Sequence, residues 1–150
     1  MAPEKSQAEL LEERRAQALA KEESERLQLI RERDEMLLRT FSRVEDMDRV
    51  INDRITVLDS IIRITEFKLE KLRTQLKSSK EKRLWHISKG QNVPRQLDAN
   101  IKEYEVQINN NVSLIKRNER RKELIGQKFE SDRKRFVQLL ELRRSGSSNN

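Results

Sequence analysis

The side chains able to carry covalent or proton-transfer chemistry are scarce in this chain. His86 is the only histidine among 150 residues, and there is no cysteine. That excludes a histidine pair or triad for a metal, and a thiolate nucleophile. Carboxylates are plentiful, with 26 Asp and Glu. On exposed helices, however, they have no pocket to perturb their proton affinity. The three glycines form no phosphate-cradling loop. The expectation is no catalytic residue, no metal ligand, no cofactor and no small-molecule ligand, hence not an enzyme.

Binding chemistry is better supplied. Residues 1–67 hold 12 basic and 16 acidic groups, and residues 68–150 hold 21 basic and 10 acidic groups. The formal net charge of +7 is thus concentrated in the second half. Two basic clusters stand out. One is Lys77, Lys80, Lys82 and Arg83. The other is Lys116, Arg117, Arg120, Arg121 and Lys122, which could neutralise phosphates or another acidic polymer. No aromatic residue is interleaved with the second cluster, so a nucleic-acid contact would address the backbone and not the bases. The competing reading is a solvated face plus ion pairs within the fold. Trp85 is the residue type that anchors interfaces, and the simpler role for it is to cap a seam against Val93 and Leu97.

The elements that must position these groups are long helices. Hydrophobic residues make up 34% and charged residues 39%, against about 45–50% and 25% for an ordinary globular domain. One stretch reads as a break, Ser88-Lys89-Gly90-Gln91-Asn92-Val93-Pro94. Gly90 suits a left-handed helix cap and Pro94 cannot continue the preceding helix. Pro3 tolerates a helix start, and Ser6 with Glu9 has capping-box spacing. The sequence therefore predicts two helices, over residues 3–87 and 95–144, followed by a polar, disordered tail at 145–150.

Heptad periodicity pairs them. In the first helix, a positions run from Leu27 through Asp34, Phe41 and onward to Leu76, and d positions from Ile30 through Leu37, Val44 and onward to Ser79. Twelve of these sixteen positions are apolar, a coiled-coil signal. The second seam runs Leu97, Ile101, Tyr104, Ile108, Asn111, Ile115, Asn118, Lys122, Ile125, Phe129, Asp132, Phe136, Leu139 and Arg143, nine of fourteen apolar. Asn111, Asn118 and Asp132, with Asp34 and Asp48 on the first helix, are polar core positions of the kind that fix register. Gly126 weakens the second helix by ~1 kcal/mol and invites a kink.

Folding back at Gly90 makes partner numbers sum to roughly 180 if both helices rise evenly at ~1.5 Å per residue. Lys122 then meets Asp59, Lys77 meets Glu103 and Glu105, and Arg133–Arg135 meet Glu45, Asp46 and Asp48. Separate parallel pairing of each helix is the alternative. The expected architecture is all-α: a long antiparallel two-helix coiled-coil hairpin, helix 1 over 37–87, loop 88–94 and helix 2 over 95–144. A helical overhang at 1–36 has too few large apolar residues to be stable alone.

Met47, Val50, Val57, Ile61 and Ile64 fall outside a and d, at c and g positions. They widen the apolar arc to roughly 160°, more than a two-helix seam covers. Such a stripe predicts burial in a larger bundle, with copies of itself or with other helical subunits. The functional expectation is a structural or adaptor subunit. The alternative is a basic helical module on a nucleic-acid backbone or a microtubule surface.

No apolar run is long enough to span a bilayer, and residues 1–10 lack the apolar core of a signal peptide. A cytoplasmic or nuclear location is expected, which would leave the sequon Asn111-Val112-Ser113 unused.

Overall fold

A computed structural model describes residues 3–148, and among them 91% are helical and none is in a strand. Three helices follow in order: α1 Gln7–Thr40, α2 Val44–Ser88 and α3 Arg95–Ser148. Packing between helices is mainly between α2 and α3. Among the described residues no helix is long and apolar enough to cross a membrane.

The start of α1 is set by side-chain capping. Ser6 is extended (φ −66°, ψ 159°) and its hydroxyl accepts from the Glu9 amide at 3.2 Å, while the Glu9 carboxylate accepts from the Ser6 amide at 2.9 Å. This reciprocal pair satisfies two amides that would otherwise lack partners. Helix therefore begins at Gln7 and not at residue 3.

The expected single first helix is interrupted. Phe41 is extended (φ −123°, ψ 136°), although its amide still reaches the Leu37 carbonyl at 3.0 Å. Helix resumes at Val44, where the Met47 amide closes a turn on the Arg43 carbonyl at 3.4 Å. Thr40, Phe41 and Ser42 are all middling helix formers. Glu45 and Asp46 then favour a new helix N-terminus through the backbone dipole.

The chain divides into two compact units, Met1–Met47 with Ser131–Asn150, and Asp48–Glu130. In the first, three contacts converge on residues 131–136 of α3. Arg33 donates to Asp132 and Ser131, Arg135 forms a two-pronged pair with Asp34 at 2.7 and 2.8 Å, and Phe41 meets Phe136 edge-on with ring centres 6.2 Å apart. Arg135 was expected opposite residues 45–48. That expectation assumed one unbroken first helix running along α3; the chain is extended at Phe41, and Arg33, Asp34 and Phe41 all meet the short stretch 131–136. Residues 3–33 are exposed throughout.

In the second unit, partner numbers on α3 fall as numbers on α2 rise. Asp59 pairs with Lys122 at 2.6 Å, Lys80 with Glu105 at 3.6 Å, and Arg83 with Asp98 at 2.9 Å. The Asp59–Lys122 pair is the one expected. Glu105 takes Lys80 in place of Lys77, one turn further along α2. Every a and d position from Asp34 to Ser79 is buried or half-buried, as is every position of the second seam from Leu97 to Leu139; Arg143 is exposed. Thr65 is buried, and its hydroxyl donates to the Ile61 carbonyl at 2.7 Å, so no unpaired donor enters the core.

The connection after α2 is a hydrogen-bonded cap. Gly90 has φ 67°; its amide donates to the Ile87 carbonyl at 3.0 Å, and the Gln91 amide to the His86 carbonyl at 2.9 Å. This pair of bonds is the Schellman arrangement, which satisfies terminal carbonyls at a left-handed residue. Pro94 then starts α3: its carbonyl accepts from the amides of Leu97 and Asp98 at 3.1 and 3.3 Å. Asp98 in the first turn faces the positive helix end.

At its other end α3 runs through Gly126 without interruption and continues to Ser148. The expected tail from 145 is thus helical as far as 148, with the Ser147 hydroxyl donating to the Arg143 carbonyl at 2.9 Å. Residues 149–150, like the first two of the expected overhang, lie outside the described residues.

Candidate partner-docking surface

The apolar stripe is exposed along α2 from Val50 to Ile64. Val50 and Ile61 are exposed at its margin, while Val57 and Ile64 are 60% and 59% exposed. Steps of seven, four and three residues keep all four on one line of the helix. Met47 does not belong to this surface: it is only 3% exposed. Its compact unit combines α1, the first turn of α2 and the end of α3, so a position outside a two-helix seam also finds cover there.

Beside the stripe lies an open groove of about 390 Å³ lined by Asp53, Arg54, Val57, Leu58, Arg121 and Ile125. Val57 and Leu58 come from α2 and Ile125 from α3, so the floor is apolar and continuous with the seam. Arg54 and Arg121 stand at the rim, each exposed and with no ion pair among the described residues. Groups of this kind can take an apolar side chain into the floor and a carboxylate at the rim.

The structure divides the basic cluster that the sequence presents as one run. Lys122 is on the seam and is held by Asp59. Arg117 and Arg121 are one turn apart on the same line of α3, the line that reaches the groove. Lys116 and Arg120 project along other lines of the helix, and all four residues other than Lys122 are exposed. The five cations therefore do not form one patch. Sequence reasoning also missed Arg54, whose i, i+3 spacing to Val57 placed it on the stripe, and it missed Phe67, 73% exposed one turn beyond Ile64.

At the loop, Trp85 packs edge-on against His86 with ring centres 5.1 Å apart, and it remains 53% exposed. The His86 ring nitrogen Nδ1 lies 3.2 Å from the Gln91 side-chain oxygen. These contacts lie beside the Gly90 turn, and the ring contact of Trp85 is with His86. Among the described residues no group of histidine, aspartate and glutamate could hold a metal ion.

No family model, no curated protein and no solved structure matches this chain.

Proposed function

We propose that the chain is a non-catalytic structural subunit: an antiparallel coiled-coil hairpin of α2 and α3 that joins a larger helical assembly through the outer face of α2. The observation that carries this reading is the row Val50, Val57, Ile61 and Ile64, exposed to solvent on a helix whose seam is already filled by α3. A chain short of apolar residues keeps four of them on one exposed line. Contiguous apolar surface of this kind marks protein interfaces. The falling partner numbers between Asp59–Lys122 and Arg83–Asp98 support the hairpin, and the burial or half-burial of the a and d positions from Asp34 to Ser79, though not of Leu27 and Ile30, supports coiled-coil packing.

The test is affinity capture of the full chain from its native source, with crosslinking and mass spectrometry, comparing wild type with Val57→Glu/Ile64→Glu. Both positions are about 60% exposed, so the fold tolerates the change. Loss of specific helical partners in the variant is the expected result. An identical partner set in both, with no crosslink to α2, overturns the proposal.

A further inference from the structure

The proposed docking face has a one-sided charge pattern that defines the chemistry of its occupant. Consider α2 from Val50 to Lys71 and the stretch of α3 from Asn110 to Glu130 that the Asp59–Lys122 pair sets beside it. The two outer rows that flank the groove, at c and g spacing, carry the apolar stripe and six cations: Arg54, Lys68, Lys71, Arg117, Arg121 and Lys128. They carry no acid. All six are exposed, and none has an ion pair among the described residues. Asp53 lies at the groove's outer edge as a lone carboxylate.

The opposite flank of the same two helices, at b and e spacing, differs. Over the same stretch it carries Asp59, Glu66, Glu70, Glu119, Glu123 and Glu130, against only Arg63 and Lys116 as bases. The net positive charge of this region is therefore sorted onto the face that also bears the exposed apolar residues. Unpaired cations around an apolar stripe repel one another and are relieved by an acidic partner.

We infer that the groove receives an acidic amphipathic helix from another protein, on the order of 20 residues long to match the span of α2 involved. Its apolar side chains would pack on Val57, Ile61, Ile64 and the Leu58–Ile125 floor. Its Asp and Glu side chains would face Arg54, Arg117 and Arg121. This deepens the assembly reading above and rests on it. A second copy of this chain offers a poorer match, because the same face on a copy presents the same six cations. A nucleic-acid backbone would satisfy the cations but leave the stripe exposed.

The test uses the full chain and two fluorescein-labelled helical peptides that share a leucine stripe. One carries glutamate at the flanking positions and the other lysine; a DNA duplex of similar length is the third probe. By fluorescence anisotropy the glutamate peptide binds at least about tenfold more tightly than the lysine peptide, a preference set by charge complementarity. Val57→Glu/Ile64→Glu weakens it about tenfold or more. Arg54→Glu/Arg117→Glu/Arg121→Glu, all at exposed positions, reverses the preference between peptides. Equal binding of both peptides, or an unchanged preference in the charge-reversed variant, overturns the inference. So does DNA binding that survives Val57→Glu/Ile64→Glu, or a wild-type dimer that this variant converts to monomer. The same charge-reversed variant in native capture separates the two readings. Partners lost with the stripe variant but kept with charge reversal leave the assembly standing and remove the acidic helix.

Discussion

Lys122 on α3 donates to the Asp59 carboxylate on α2 at 2.6 Å, across a seam whose neighbouring positions are mostly apolar. The pair specifies one alignment of the two helices, since a shift by one turn would set Lys122 against an uncharged or basic position. Both side chains are partly exposed, 41% and 35%, so the pair serves register more than stability. Lys122→Glu is expected to lower stability by about 1 kcal/mol, combining a lost attraction with a new repulsion. Asp59→Lys with Lys122→Glu should restore most of it. Thermal unfolding of the four proteins closes the double-mutant cycle, and additive losses would show that the pair does not couple.

Two glycines of α2–α3 should respond in opposite directions. Gly90 holds φ 67°, where a side chain clashes with its own backbone, so Gly90→Ala should cost about 1 kcal/mol. Gly126 lies within helix, and a methyl group there would meet nothing within 4 Å. Gly126→Ala should therefore stabilise by up to about 1 kcal/mol through helix propensity alone. Chemical denaturation of both variants checks the signs.

These positions show what the sequence made legible. Heptad spacing located the buried line on each helix, because burial in a two-helix packing follows a period that can be counted. The Gly90 cap was legible because its geometry is a local property of six residues. The interruption at Phe41 was not. Phe41 sits on the apolar line whether the helix continues or breaks, so periodicity cannot report the break. Register beyond it was lost for the same reason: Asp34 and Phe41, seven residues apart, meet the adjacent residues Arg135 and Phe136, so α1 does not continue the counted alignment along α3. The stripe of α2 was legible by spacing. Its union with Arg117 and Arg121 depends on how α3 lies beside α2, which no local pattern encodes.

Acid should loosen the contact between α1 and α3. Asp34 accepts two hydrogen bonds from the Arg135 guanidinium, which hold its carboxyl below the ordinary value of 3.8, against a smaller opposing effect of burial. A carboxylate whose folded proton affinity is lowered adds stability that is complete above its unfolded pKa and lost as pH falls through the folded one. The contribution of Asp34 is thus present at neutral pH and declines below about pH 4. Asp34→Asn should lower the unfolding midpoint at pH 7 and converge on wild type in strong acid. Parallel curves for the two proteins across pH 2–7 would show that the pair is not the origin of the effect.

Phe136 should be the most sensitive single position in the unit that contains α1. Its side chain is 0% exposed, and its ring meets Phe41 at 69° in an edge-to-face contact. It thus packs against the residue at which α1 ends. Phe136→Ala removes a fully buried ring and leaves a cavity, for an expected loss of about 3–5 kcal/mol. Phe136→Leu keeps most of the volume and forfeits chiefly the ring contact, worth about 0.5–1.5 kcal/mol. Because the Asp59–Lys122 and Arg83–Asp98 pairs lie in the other unit, the damage should be local. Hydrogen exchange should show lost protection around Leu37–Phe41 and Ser131–Leu140, with residues 58–84 retaining theirs. Uniform loss along all three helices would instead show that the chain unfolds as one cooperative body.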